Sequence, residues 1–547
     1  MYKEEIDYRV FLEELQDLAE FRLEYSMDNP SAGLDADDPD VKRIIEVLAF
    51  FGARTKNIAL RSWDSTNRRL YQQFFSYMLT PIPSMAMMQA IPNGRLTESL
   101  DLLAGTEFGL EPEEGGLVMF RNSRPLRVLP LTIESVKQES LPDKGIRMLL
   151  TFVADFPLNE QPEIINLHIN YLNDFTLSHK VMHFMRESLL HASVQYGQYD
   201  PEQTFLNCKF NLNICTDNIV TDEWRHPIEV ERSYFHFPQQ DLFLELDIPS
   251  GPRNWKQFTI ALDCNKPWPR QLRLHQNIFQ LFVVPLTNNH RSMAQPIICD
   301  GTLERYTIRH PKPELGFCLQ NVLGVYEVGE KGMLPFRPGV LAGGNGSYEL
   351  EKGPRQDSGG DLYWLVPHFP SAFQKPRTLV VEVLWQQPWY DRILQSQYKI
   401  NVFRKQVPGI EWELVDTVIP HAENNQFTNV TRYLSLLTLM HINTFSAQNL
   451  RDLLSAMGSV TDGKFKNVFD SFVDLRLEEE PLGEETGHKI KQIYYMQFKP
   501  YLDVTIDIIE PFILHVGLVL DSWISEALVE VRWEMLDDIN KTILIGN

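Results

Sequence analysis

The chain has 547 residues, 43% of them hydrophobic and 11% aromatic, with a formal charge of −22. This is too long for one core, so three or four domains are expected, and the composition is ample for globular folding. Strong net acidity argues against nucleic acid as a bulk partner, no apolar run approaches the roughly 20 residues a bilayer span needs, and five widely spaced cysteines (Cys208, Cys215, Cys264, Cys299, Cys318) point to reduced thiols in a cytosolic protein rather than a disulfide framework or a zinc ribbon.

The opening MYKEEIDYRVFLEEL has neither a basic n-region nor an apolar h-region, so no secretory signal is expected. The sequons at Asn345, Asn429 and Asn540 are accordingly not expected to carry glycans. Residues 3–27 read as one helix with an apolar stripe of Ile6, Val10, Phe11, Leu15, Leu18 and Leu23, stopped by Asn29-Pro30. A helix of ~25 residues is roughly 40 Å long, which suits a bundle member better than the core of a small domain. An acidic loop follows to Asp38.

Asp38-Pro39 opens the next helical stretch, because Asp accepts from the first free amides and Pro fits the first turn. Val41, Ile44, Ile45, Leu48, Phe51 and Ile58 recur at i, i+3, i+4, i+7 and share one face, continued by Leu70, Phe74, Tyr77 and Met78. Pro81-Ile82-Pro83 ends the run, since proline donates no amide and disfavours helix in the residue before it. Charge divides sharply here. Residues 1–40 carry thirteen acidic and three basic side chains, net −10, whereas residues 41–80 carry seven basic and two acidic ones, net +5. Such a contrast suits helices that pack on each other or on partners.

After Pro92 short strand-like runs alternate with Gly and Pro: 117–120, 127–133, 146–153 and 164–172, the last with the period-2 pattern Ile165, Leu167, Ile169, Tyr171. A helix is expected from Ser178 to His191, then strands at 241–247, 256–263 and 277–284. The Gly-rich residues 341–361 read as a surface loop, and 378–385 (TLVVEVLW) as a buried strand. Further on, helices are expected at 430–439 and 446–457, an acidic loop at 478–485, a strand at 501–508, a helix at 516–528 and a last strand at 529–534. The fold class is α+β and multidomain: long N-terminal helices over 1–92, a β-rich middle over 93–310, a second β-rich domain over 311–425, and an α+β domain over 426–547.

Two motifs could carry chemistry. Gly458-Ser459-Val460-Thr461-Asp462-Gly463-Lys464-Phe465 nearly spells a phosphate-binding loop, but Phe465 cannot hold Mg²⁺ where Ser or Thr must, and the run leaves a helix rather than a strand. A helix end at Gly458 and a turn at Asp462-Gly463 account for it. His179 and His183 stand four apart, as zinc-binding helices place them, yet no glutamate sits where H-E-x-x-H puts its base, and His168 or His191 would have to complete the set. Packing histidines are the simpler reading. No catalytic set, cofactor or metal is therefore expected, and the acidic patch Glu478, Glu479, Glu480, Glu484, Glu485 is a solvated loop or a docking surface for a basic partner.

The helical stretch also carries a resemblance. The Tyr/Phe-rich acidic first helix, Asp38-Pro39-Asp40-Val41 leading into Ile45-Glu46-Val47-Leu48-Ala49-Phe50, and above all Tyr77-Met78-Leu79-Thr80-Pro81-Ile82-Pro83-Ser84-Met85 resemble the TssF family, baseplate subunits of the type VI secretion system. Asn277-Ile278-Phe279, Tyr306–Pro311, Tyr433–Leu436, Leu450–Leu454 and Gly517–Asp521 follow in the family's order; Phe317-Cys318-Leu319-Gln320 departs from its more tyrosine-rich segment. The resemblance implies a non-enzymatic, phage-like wedge protein in the cytoplasm at the membrane-docked baseplate. It implies a second copy of itself, TssG, a TssE-like sheath initiator and the VgrG spike hub as partners, and TssK through TssG, with no direct membrane insertion. Leu15, Leu48, Phe51, Phe74, Tyr77, Pro81 and Pro83 are the expected interface residues. The alternative is a cytosolic hydrolase or NTPase with a β-rich accessory domain.

Overall fold

The computed structural model describes residues 2–29, 38–112, 116–142, 144–212, 226–329, 332–339, 346–353, 362–369, 375–387, 398–403, 405, 407–422, 430–481, 490–501, 504–524, 527–536 and 542–546. It divides into two compact units, Met1–Ser76 and Tyr77–Asn547. Helices α1 (Tyr2–Asp28) and α2 (Pro39–Leu79) match the two expected helical runs. Asp38 caps α2 as its neighbours require, its carboxylate accepting from the Asp40 amide at 2.9 Å. Near its far end α2 leaves helical dihedrals at Phe75 (φ −132°, ψ 39°), and its last residues, from Tyr77, belong to the second unit.

The first unit consists of α1 and most of α2. Ala49 and Ala53 are buried, and a Cβ added at Gly52 would come within 3.0 Å of a Glu14 carboxylate oxygen. Small residues on this face thus let the two helices approach closely. Lys56 closes the contact on Glu14 at 2.9 Å, and that bond raises the Lys56 pKa.

The second unit is built on sheets. A six-stranded antiparallel sheet runs in the order 398–402, 107–112, 118–122, 283–287, 85–92, 410–414. An eight-stranded antiparallel sheet runs 279–281, 164–169, 243–247, 206–211, 189–196, 255–264, 146–158, 131–140. One apolar core, including Met88, Phe108, Phe120, Leu150, Phe152, Leu244 and Ile260, runs through both. The sequence divisions at 92/93 and 310/311 therefore fall inside a shared architecture: strand 85–92 pairs with 283–287 on one side and 410–414 on the other. A third sheet joins 289–293, 377–386, 318–329, 332–338, 347–353, 362–368 and 306–307 around its own core of Val325, Leu365, Leu379, Val381 and Trp385. The expected strand at 378–385 is its second member. Of the Gly-rich 341–361, residues 347–353 form a strand of this sheet, and most of the rest lies outside the described residues.

Among the described residues the remaining α-helices are α3 (Phe175–Ser188), α4 (Pro227–His236), α5 (Val430–Leu439), α6 (Ala447–Ala456), α7 (Ser459–Asp462), α8 (Lys466–Ser471) and α9 (Ile506–Trp523). Asp174 caps α3, accepting from the Leu177 amide at 2.8 Å, so it begins before Ser178 and ends before His191, which lies in the strand 189–196. The expected strand at 501–508 runs instead into α9, whose Ile508, Ile509, Phe512, Ile513, Val516, Val519 and Leu520 are buried at helical spacing. Glu478, Glu479 and Glu480 end the strand 472–481 rather than a loop; Glu484 and Glu485 lie outside the described residues. That strand edges a four-stranded sheet with 490–498, 528–536 and 542–546. Strands 490–498 and 528–536 pair in parallel, with α9 as the crossover that such pairing demands.

Candidate protein–protein interface

Helix α2 exposes several large apolar side chains among its described residues. Ile44, Leu48 and Phe51 are 59%, 53% and 58% exposed, as are Val47, Phe50 and Ile58 at similar levels. Position 48 lies one residue before buried Ala49, about 100° around the helix, so the small-residue face and the large apolar face are distinct. The stripe expected from the sequence thus divides: its small neighbours serve the pair, and its largest members remain open. These side chains thus form an exposed apolar seam on α2.

The other expected interface residues sit differently. Leu15 is half-buried on α1 and Phe74 is exposed. Tyr77 stacks on the His226 ring at 3.7 Å and 5°, and burial pushes its pKa up to about 12. The Pro81 carbonyl accepts from Gln320 Nε2 at 2.6 Å, and Pro83 is buried. These last three are engaged within the chain's own fold.

Within the second unit, sequence reading missed what holds the residues from Tyr77 onward. Arg232 on α4 is 1% exposed. Its Nη1 donates to the Tyr77 carbonyl, its Nε donates to the Met457 carbonyl at 3.3 Å, and its own carbonyl accepts from Ser459 Oγ at 3.2 Å. One guanidinium thus donates to carbonyls at the C-terminal ends of both α2 and α6, and the Met457 carbonyl also accepts from the Ser459 amide at 3.1 Å. Beside it, His515 Nδ1 and the Glu231 carboxylate meet at 2.7 Å in a buried pair with the Tyr234 ring stacked on His515 at 3.3 Å. The only sequence cue was His226-Pro227, a cap followed by proline at the first helical position, ahead of a run too polar to read as a core helix.

The two histidines expected as packing or zinc residues part company. His179 is buried, within 3.0 Å of the Phe175 carbonyl, and burial pushes its pKa down to about 4. His168 is on a strand and is likewise pushed to about 4 by burial. His183 instead faces carboxylates from two helices: Glu510 at 2.8 Å, Asp507 at 3.7 Å and Glu187 at 3.9 Å. His183, Glu187 and Glu510 could each turn one ligand atom toward a common point, but Glu187 is already engaged by Lys266 and Arg186 lines the same cavity. The hydrogen bond to Glu510, then the surrounding carboxylates, raise the His183 pKa. A raised folded-state pKa gives stability that is present below the unfolded value near 6.5 and lost as pH rises through the folded value. His183→Gln is therefore expected to cost about 1 kcal/mol at pH 6 and much less at pH 8.5, read as urea midpoints at the two pH values; an equal cost at both would remove the charged-histidine account.

The 458–465 run forms a helix end, as its residues require. Gly458 adopts φ 85°, a left-handed conformation that favours glycine, and α7 begins directly after it. Phe465, in the position a phosphate-binding loop reserves for a hydroxyl, is wholly buried among Phe175, Tyr234, Phe235 and Phe512. Among the described residues no helix is long and apolar enough to cross a membrane.

Comparison with known proteins follows the same lines. The fold is similar to a chain of the TssK-TssF-TssG baseplate subcomplex of the type VI secretion system, with a TM-score of 0.71 at 16% identity, covering 93% of this chain and 98% of that one. It is also similar to a chain of the type VI baseplate complex, with a TM-score of 0.56 at 16% identity and 98% of both chains covered. No curated protein matches in sequence. The family model described as "Type VI secretion system, TssF" matches residues 10–370, well over half the chain, and the chain therefore belongs to the TssF family of the type VI secretion system.

Proposed function

We propose that this chain is a structural subunit of the type VI baseplate wedge, joining a TssG-like and, through it, a TssK-like subunit. Family membership and the likeness to a chain of the TssK-TssF-TssG subcomplex support the class of role. The observation that carries it is the open apolar seam of Ile44, Leu48 and Phe51. At roughly 25 cal/mol per Å² of buried apolar area, set against the entropy of association, such a seam is stable only when covered. The finer assembly is a second copy of this chain and one TssG-like chain entering a helical bundle. The wedges so formed surround a VgrG-like spike hub, contact a TssE-like sheath initiator, and sit in the cytoplasm at the docked baseplate. Function on this reading lies in surfaces, with no reaction to catalyse.

Co-expression with a tagged TssG-like subunit tests it. Deletion of residues 1–30, or Leu48→Asp together with Phe51→Asp, is expected to cut recovery of the complex at least tenfold while the second unit stays folded. Undiminished recovery in both variants would overturn the seam as the joint.

A further inference from the structure

Every strand of the third sheet lies between residues 289 and 386. Among the described residues its core shares no member with the core that runs through the six- and eight-stranded sheets. The chain enters this lobe from strand 283–287 and leaves it for strand 398–402, so the lobe is an insertion between two strands of the six-stranded sheet. The two crossings lie side by side. Asn288 is the single residue between strands 283–287 and 289–293, and its Oδ1 accepts from the Gln387 amide, at the other crossing, at 2.8 Å. A body joined to its scaffold by two adjacent crossings can turn about the line between them.

The bonds that hold the lobe in place are polar. Gln387 is buried; its Nε2 donates to the Leu315 carbonyl, on the lobe, at 2.7 Å and to the Leu117 carbonyl at 3.3 Å. Its Oε1 accepts from the Met119 amide, on the six-stranded sheet, at 2.7 Å. Around this latch, Arg121 Nε donates to Asn289 Oδ1, and His290 Nδ1 lies 2.7 Å from a Glu107 carboxylate oxygen. Gln320 Nε2 donates to the Pro81 carbonyl; Gln320 is the extra residue of a bulge in the ladder between strands 318–329 and 377–386, a device that re-aims a side chain. Hydrogen bonds formed on closing replace bonds to water, so their net gain is small. The lobe itself is held by burial of Val325, Leu365, Leu379 and Val381, which carries the larger driving force.

The joint is also incompletely bonded. Asn288 Nδ2, Gln320 Oε1 and Gln386 Oε1 are buried and have no hydrogen-bond partner among the described residues. Closing the joint costs these atoms their hydration and returns no bond, and opening it restores that hydration.

We propose that residues 289–386 form a hinged lobe, which opens and closes against the six-stranded sheet as one body about Asn288 and Gln387, with the Gln387 side chain as its latch. The proposal concerns the second unit alone and is independent of the seam on α2.

Thiol labelling of the full chain under native conditions tests it, with iodoacetamide as the probe and the labelled positions read by mass spectrometry. Gln320→Cys, in a Cys318→Ser background, places a thiol in the joint, and the natural Cys299, buried in the lobe's core, reports unfolding of the lobe. The joint thiol is expected to react about tenfold faster than Cys299, because joint opening is the cheaper event. Adding Gln387→Leu should speed the joint thiol about a further tenfold and change Cys299 less than about twofold. On the parent chain, the Met119 amide, whose acceptor is the latch, should exchange hydrogen faster than the ladder amides of strand 377–386. Equal labelling of the two thiols, a joint thiol indifferent to Gln387→Leu, or a parallel rise at Cys299 would overturn the proposal, the last by showing that the lobe unfolds instead of turning. A Met119 amide as protected as that ladder would overturn it on the parent chain alone.

Discussion

Replacing Arg232 with methionine is expected to lower the stability of the second unit by about 3–5 kcal/mol, among the largest effects a single substitution gives. Methionine fills most of the volume but donates nothing. The Tyr77 and Met457 carbonyls, each at a helix end, then lose a charged donor, a bond worth roughly 1.5–3 kcal/mol in each case, although the Met457 carbonyl keeps the Ser459 amide at 3.1 Å. Arg232→Lys keeps the charge yet cannot span two carbonyls with one ammonium, so a smaller loss of about 2 kcal/mol is expected. Urea unfolding followed by tryptophan fluorescence measures both. A loss under about 1 kcal/mol for methionine would mean that water or neighbouring donors serve those carbonyls, and the role given to Arg232 would fall.

Acid should weaken the second unit steeply before its carboxylates titrate. His168 and His179 are buried and held neutral, with folded-state values of about 4 against an unfolded value near 6.5. Between those limits the unfolded chain binds protons that the folded chain refuses. Their contribution is thus fully present above pH 6.5 and is lost as pH falls toward 4, at about 3 kcal/mol for each histidine. His226, His236 and His310 are shifted down by burial as well and add in the same direction; His183, shifted up, opposes them. The expected result is a drop of about 6 kcal/mol from His168 and His179 together between pH 7 and pH 4. His179→Gln should remove about half of that slope. A variant whose pH dependence matches the parent would show that His179 is protonated in the fold or reached by water.

Much of the architecture could be read from local pattern. Helix α2 opens at Asp38-Pro39 and closes before Pro81 because capping and proline chemistry act within a few residues and need no distant partner. Strand 378–385 was legible for the same reason: a short run rich in branched aliphatic residues suits a buried strand. Failures came where a distant partner decided. The 501–508 run has alternation enough for a strand, but its residues continue into a helix that the parallel pair 490–498 and 528–536 requires as a crossover. The Glu478–Glu480 run reads as a solvated loop, yet it extends an edge strand whose acidic side chains remain in water while the backbone pairs with 490–498. Pro81 and Pro83 carry the most recognisable motif of the family, and the structure spends them on the chain's own packing.

By itself the sequence determined the two front helices, their charge contrast, the absence of a phosphate-binding hydroxyl after Lys464, and the family to which the pattern is akin, because these depend on residue identity and short spacing alone. Only the tertiary structure decided which stripe residues stay open, that strands from distant segments share one core, and that Arg232 joins two helix ends. Those facts rest on pairings across hundreds of residues, where each side chain's energy is set by the neighbour it meets and one-dimensional pattern carries no trace of the meeting.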